Sequence, residues 1–355
     1  MCRGSLFGRT FCIDERVEVG VAKEAIAMGR GMRAGVWRAR LLRVLTLAAV
    51  LGPMGAASAQ DGEGSGEAPE ATEAEGDEGL DRQTRMIIAG TAVGGVYAAA
   101  GTWAYFAWYA NQKQSDEFLI RDEGWFGPNT YAGGADKLGH MYSNYIAARG
   151  ASQLLQYGGF KPLPATLIAN GLTLAFFTGI EVKDAYHAGF GFSYGDMVAN
   201  GVGNGLALAF ETVPTLDRMF SFRFEYTPSA EYIDLVRETG TVDAAEDYSG
   251  QRFLLSYHLA SIDPLMASRG WRWMRFVDVT AGYYTRGFLP EPKDELATKA
   301  RRLFMGISLN VQQVVDEVFF DSPHGPAYGA SHFATEVLAV PLTTIDLVGV
   351  ESVTE

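Results

Sequence analysis

Three polar pairs stand in otherwise apolar sequence: Asp136 with His140, Glu181 with Asp184, and Asp196 with Asn200. Residues three or four apart share one face of a helix, so three helices could bring carboxylates, an imidazole and an amide into one space. Three chemistries fit that set. The first is a structural network in which Lys137, Lys183, His140 and Asn200 donate charge-assisted hydrogen bonds to the carboxylates and cross-link the helices. The second is a metal site with candidate ligands Asp136, His140, Glu181, Asp184, Asp196 and Asn200. One imidazole among oxygen ligands suits a hard or borderline divalent ion, and helical bundles mount such ligands at this spacing. A single well-placed histidine argues against zinc, and His187, close behind Asp184, is the nearest second one. The third is acid/base hydrolysis of a lipid-linked or cell-wall substrate, in which His140 moves a proton and Asp136 or Glu181 fixes its tautomer. No serine or cysteine sits in a nucleophile motif, and Ser193 reads as a helix cap. The motifs contain no arginine, which disfavours a lipid phosphatase.

The elements that must position these residues are legible from apolar runs and breakers. Met86 to Ala110 is a 25-residue stretch without formal charge, long enough to span a bilayer, with aromatics gathered at its carboxyl end. Its glycines Gly90, Gly94, Gly95 and Gly101 permit close helix packing. Three more helices are predicted: Asp136 to Gln156, Pro162 to Asp184, and Tyr194 to Thr212. Gly158-Gly159 ends the first of these and Pro162 opens the next. After Pro214 the period changes to two. Phe220, Phe222, Phe224 and Tyr226 alternate with polar residues, as do the segments around Phe253 to Leu259, Val277 to Tyr283 and Leu303 to Leu309, with a fifth strand near Thr343 to Val348. The predicted sheet is antiparallel with one wet face, and too small to close a transmembrane barrel. Its aromatics read as core and cross-strand pairs. His258, on the polar side of a strand, and His324 and His332, near Pro and Gly, read as surface residues.

The chain opens with material to be set aside. Arg33, Arg38, Arg40 and Arg43 precede the apolar run Val44 to Leu51 and the small residues Ala57-Ser58-Ala59, the signature of a secretory signal peptide cleaved after Ala59. The polar stretch before it places the start of translation at Met32 or Met28 rather than Met1. Both cysteines, Cys2 and Cys12, fall there, so the exported chain uses neither disulfides nor thiolate chemistry. Residues 1–59 hold nine Lys/Arg and four Asp/Glu, and their removal takes the net charge from −13 to −18. Such a charge disfavours nucleic acid and anionic headgroups as partners, because both repel a negative surface. From Asp61 to Asp81 there are nine acidic residues and no basic one, a composition that cannot bury a core.

Gly134-Ala135-Asp136-Lys137-Leu138-Gly139-His140, Glu181-Val182-Lys183-Asp184 and Ser193-Tyr194-Gly195-Asp196-Met197-Val198-Ala199-Asn200 together resemble the YfiM-type family of predicted periplasmic lipoproteins. More remotely, the Asp-Lys-x-x-His, Glu and Asp-x-x-x-Asn elements are similar to those of VanZ-like membrane proteins. The resemblance spans about Ala132 to Thr212. Tyr248-Ser249-Gly250-Gln251, Gly282-Tyr283-Tyr284 and Gly306-Ile307-Ser308-Leu309 look like the carboxyl half of longer YfiM-type proteins. It implies an envelope address and a helical core carrying the polar cluster, with no activity attached. Gln60 follows Ala59 where a lipidated member would carry cysteine, so the helices would have to hold the membrane instead.

The expected architecture is α+β: a four-helix apolar, membrane-associated bundle followed by a small antiparallel sheet. Residues 1–59 are extension and signal peptide, 60–85 an acidic disordered linker, 86–214 the helical core and 215–355 the β-rich region. The expected partners are a membrane and a lipid, cell-wall or envelope-protein ligand. The sheet as a binding module is the alternative to the helical cluster as the functional part.

Overall fold

A computed structural model describes residues 5–6, 9–10 and 80–354, apart from 111, 128–129, 241–243, 289–297 and 323–324. Ser5–Leu6 and Arg9–Thr10 pair antiparallel. The remainder of the expected leader, its cleavage point at Ala59, the linker as far as residue 79, and His324 lie outside the described residues.

Residues 80–354 are α+β. Helix α1 (Arg82–Ala104) continues into a π-helical turn, Tyr105–Tyr109. Asp81 caps it, its Oδ1 accepting from the Gln83 and Thr84 amides at 2.9 and 3.1 Å. Helices α2 (Ala135–Tyr157), α3 (Pro162–Asp184) and α4 (Tyr194–Thr212) fall where the breakers predicted. The Ser193 hydroxyl accepts from the Asp196 amide at 3.2 Å, the expected cap. Before α2, Gly133 and Gly134 take φ of 64° and 92°, and a Cβ on Gly134 would strike the Trp125 carbonyl and the Phe126 ring. Two-residue strands β1 (Ile120–Arg121) and β2 (Phe192–Ser193) pair in parallel and tie the segment entering α2 to the start of α4.

Helix α2 is the hub. Its Ala151 and Leu155 bury against Val93 of α1 and Ala165 and Ala169 of α3. Helix α4 comes closest, because Gly203 lies on the Met141 carbonyl and any Cβ there would overlap the oxygen. That approach sets Asn200, one turn earlier on α4, against His140. Beyond the site, buried Arg149 of α2 reaches Glu211 of α4 (Nε to Oε1 3.0 Å), Asp217 of α5 (Pro214–Met219; Nη2 to Oδ1 2.7 Å), and Glu336.

Strands β3 (Phe220–Tyr226), β4 (Gln251–His258), β5 (Val277–Arg286), β6 (Lys299–Leu309) and β7 (Thr344–Thr354) form one antiparallel sheet in sequential order. Short helices α6 (Ala230–Thr239), α7 (Asp263–Ala267), α8 (Val311–Phe319) and α9 (Pro326–Val337) lie in the connections. The apolar face meets α2. Tyr142 stacks on Phe224 at 5.2 Å and meets Phe222 edge-on, and its hydroxyl donates to the Val337 carbonyl at the end of α9 at 2.7 Å.

One sequence expectation reverses here. The polar face is not the wet one: Ser221, Arg223, Glu225, Ser256, His258, Asp278, Thr280 and Ser308 are all buried. Most of them pair across strands, while Ser221 Oγ, Arg223 Nε, Glu225 Oε2 and Arg252 Nε are buried without a hydrogen-bond partner. Arg223 pairs with Asp278 at 2.5 Å, Ser256, Thr280 and Ser308 form a hydroxyl chain at 2.9 and 2.7 Å, and Arg252 pairs with Glu225 at 2.7 Å. His258 is therefore buried rather than superficial, with Nδ1 2.8 Å from Asp278 Oδ1. His332 is half-buried, its Nδ1 2.9 Å from Asp316 Oδ2. Alternation in sequence assigns residues to faces but does not say which face the rest of the chain covers. Away from α2 the apolar face is open, with Leu255, Leu303, Met305 and Leu309 all exposed.

The Gly203→Ala variant should lose about 1–3 kcal/mol in urea unfolding, as overpacked cores do. Removing the Arg149 guanidinium by Arg149→Ala leaves three carboxylates without their shared partner and should cost about 3–5 kcal/mol in the same measurement. A loss below ~1 kcal/mol at Arg149 would show that this cluster does not hold the helices together.

Candidate functional site

The three helices deliver their polar pairs to one place. In α2, Asp136 and His140 stand one turn apart, with His140 Nε2 3.8 Å from Asp136 Oδ1. The other ring nitrogen turns inward. Nδ1 lies 3.1 Å from Asn200 Oδ1 on α4 and 3.4 Å from Glu181 Oε1 on α3. Asn200 is fixed in turn, since its Oδ1 also accepts from Asn144 Nδ2 at 2.6 Å, and Asn144 Oδ1 accepts from Asn204 Nδ2 at 3.3 Å. This amide ladder runs at four-residue spacing on both helices, Asn144 after His140 and Asn204 after Asn200.

Asp196 completes the group. One ligand atom from each of Asp136, His140 and Asp196 lies within 4.8 Å of the other two. Lys137 Nζ donates to Asp196 Oδ1 at 3.0 Å and to Glu123 Oε2 at 3.3 Å. Tyr248, which precedes β4, donates its hydroxyl to Asp136 Oδ1 at 2.8 Å. Asp184 is drawn away, its Oδ1 accepting from Tyr109 at 2.6 Å. His187 stays in its loop, stacked on Phe190 at 4.1 Å with Nδ1 accepting from the Gly189 amide at 3.1 Å. Of the candidate ligands read from sequence, Asp136, His140 and Asp196 converge, Asn200 holds the imidazole with Glu181 beside it, and Asp184 serves Tyr109.

Charge is unbalanced at this place. Glu123, Asp136, Glu181 and Asp196 surround one lysine and one imidazole. Burial pushes the His140 pKa down, but the carboxylates of Asp136, Asp196 and Glu181, helped by the Asn200 amide, outweigh it and lift the value to about 9. Burial raises the Asp136 carboxyl, against the opposing pull of His140. Lys137 shows the reverse balance, with burial lowering its pKa and Asp196 and Asp136 raising it to a net increase. The Glu181 Oε1 atom is buried without a hydrogen-bond partner. A site with this surplus of negative charge and a half-buried imidazole favours a proton or a cation.

Glu123, Tyr248, Tyr109 and Asn144 were missed from sequence. Asn144 carried a signal, four residues after His140, whereas Glu123 comes from the segment before α2, Tyr109 from the π-helical turn after α1 and Tyr248 from the turn before β4, and no local spacing ties them to the polar pairs.

With this geometry described, comparison with known proteins becomes informative. Residues 122–212 match the family model described as "Predicted periplasmic lipoprotein (DUF2279)". That span contains α2, α3, α4 and every candidate ligand. The protein is exported to the periplasm or cell envelope, in keeping with the family description. No curated protein and no solved structure matches the chain.

The raised His140 pKa fixes the sign of a pH effect. Imidazolium is favoured in the folded state, so its stabilisation is full below about 6.5, the unfolded value, and is lost as pH rises through about 9. In chelator-treated protein the thermal midpoint should fall across that window, and the fall should be absent in His140→Ala. An NMR titration placing the His140 midpoint below ~6.5 would contradict the carboxylate field described here.

Proposed function

We propose that the protein is an envelope membrane protein whose helical core binds a divalent cation through Asp136, His140 and Asp196. The orientation of His140 carries this reading. Its Nδ1 faces Asn200 Oδ1 at 3.1 Å, with Glu181 Oε1 3.4 Å away, and a proton held on Nδ1 toward Asn200 leaves Nε2 beside Asp136 as a ligand atom. Metal-bound histidines are held in this way, with the second nitrogen donating to a carboxylate or carbonyl. Metal–ligand bonds of about 2.0 to 2.4 Å place two ligand atoms at most about 4.8 Å apart, and one ligand atom from each of the three residues falls inside that limit. The surplus of carboxylates supplies the charge, and an oxygen-rich set with one nitrogen suits a hard or borderline ion.

Two helices support the membrane part of the proposal. Arg82–Tyr109 and Pro162–Asp184 are long and apolar enough to cross a bilayer by length and composition. Ile87, Ile88, Trp103 and Phe106 of the first, and Leu163, Leu167, Ile168 and Leu172 of the second, are exposed. These faces would hold the chain in the membrane where Gln60 replaces the cysteine of a lipid anchor.

One observation favours a second reading, a metal-free charge network: the Lys137 amine already sits on Asp196. The two are separated by elemental analysis of the chain purified without chelator. The metal reading expects near-stoichiometric divalent metal in the wild type, none in His140→Ala, and retention in Lys137→Ala, which frees Asp196. A wild type without metal, with both variants similarly destabilised, would retire the metal reading in favour of the network.

A further inference from the structure

The two edges of the sheet are treated differently by the chain. Strand β3 is covered: the Ala339 amide donates to the Phe224 carbonyl at 2.9 Å, and Leu338 bridges in parallel to Phe224. Strand β7 pairs with β6 on one side, and among the described residues no strand pairs with its other side. A register shift opposite Met305/Gly306 sets Leu347 out of the ladder, and from Val348 to Thr354 the strand runs in regular register with Met305 to Lys299. This stretch presents a row of outward backbone donors and acceptors, the template on which another strand adds.

Edges that must stay single are guarded by lysine, proline or unpaired charge. Between Thr344 and Thr354 there is no lysine and no proline. The two acidic residues there are drawn back onto the neighbouring strand. Arg302 binds Asp346 through Nε and Nη2 at 2.5 and 2.9 Å and Glu351 through Nη1 at 3.4 Å, while Arg301 Nη2 donates to Ser352 Oγ at 2.8 Å. The two carboxylates that would repel an identical strand are thereby both held by Arg302. The side chains that remain are apolar and open, with Val348 66%, Val350 75% and Val353 55% exposed.

We propose that a second copy of this chain pairs with β7, edge to edge and antiparallel across a two-fold axis, joining the two sheets into one. Identical strands laid antiparallel obey that symmetry by construction, each donor meeting the equivalent acceptor of its partner. A bilayer does not meet the need, because acyl chains offer the open backbone groups no hydrogen bond. The joined sheet also continues the apolar row from Leu303 and Met305 through Val350 and Val348 into the other copy.

The test is light scattering of the full exported chain in mild detergent, with hydrogen exchange of the 348–354 amides. The wild type is expected at twice the monomer mass with these amides protected. Val350→Lys, or Val353→Lys should the first fail to fold, is expected at monomer mass with a cooperative melting transition retained and at least tenfold faster exchange in β7. Leu309→Lys, on the same face of β6 but away from the edge, is expected to remain dimeric. A monomeric wild type with freely exchanging β7 amides overturns the proposal, including one that floats with phosphatidylethanolamine vesicles. So does a dimer that survives both edge variants, or one lost in Leu309→Lys, which would indicate docking through the face.

Discussion

A carboxylate buried among apolar helices is tolerated only when a donor or cation reaches it, and the fold is organised around meeting that demand. Each helix of the core brings acidic groups inward: Asp136 on α2, Glu181 on α3, Asp196 on α4. None could be satisfied by its own helix alone. Lys137 and His140 of α2 serve carboxylates on α3 and α4, and the Asn144–Asn200 contact aligns the helices so that they can. The same device recurs at the other end of α2, where Arg149 gathers Glu211, Asp217 and Glu336. Helix α2 is thus pinned at both ends by cations it supplies, and Gly203 on α4 gives the clearance that both clusters need.

The sheet follows the same logic and so inverts the usual arrangement. Arg223 pairs with Asp278 and Arg252 with Glu225 within the sheet itself, and the hydroxyls of Ser256, Thr280 and Ser308 bridge the strands between. A polar face whose groups pair across strands can be buried, at the desolvation cost of the atoms left over: Ser221 Oγ, Arg223 Nε, Glu225 Oε2 and Arg252 Nε. The apolar face is then divided, with the aromatic end spent on Tyr142 and the aliphatic rows left exposed.

What was legible in the sequence follows from this division. Helices bounded by Gly158-Gly159, Pro162 and Ser193 were read to within a residue or two, because breakers and caps act locally. The pairs at three- and four-residue spacing were legible for the same reason, and they do meet. Alternation located the strands, yet misassigned His258 to the surface, because the pairing of Asp278 with both His258 and Arg223 involves strands that only the folded sheet brings together. Asp184 was taken as a companion of Glu181, but nothing within α3 could say that Tyr109, 75 positions away, would bind it.

Tyr248 carries the consequence furthest. It lies outside residues 122–212, the segment matched by the family model, yet its hydroxyl holds Asp136 Oδ1 at 2.8 Å. Its own ring leans on Tyr131 at 5.6 Å, in the turn that launches α2, and Tyr283 of β5 donates to the Gly133 carbonyl of that turn at 2.5 Å. The start of α2 is therefore set partly by the sheet, and with it the direction of Asp136. A ligand that draws on Asp136 Oδ1 would share that oxygen with the Tyr248 hydroxyl. Asp136 is thus the point where the proposed helical site and the packing of the sheet against α2 meet, and a ligand whose binding disturbed the Tyr248 contact would be linked to that packing in both directions.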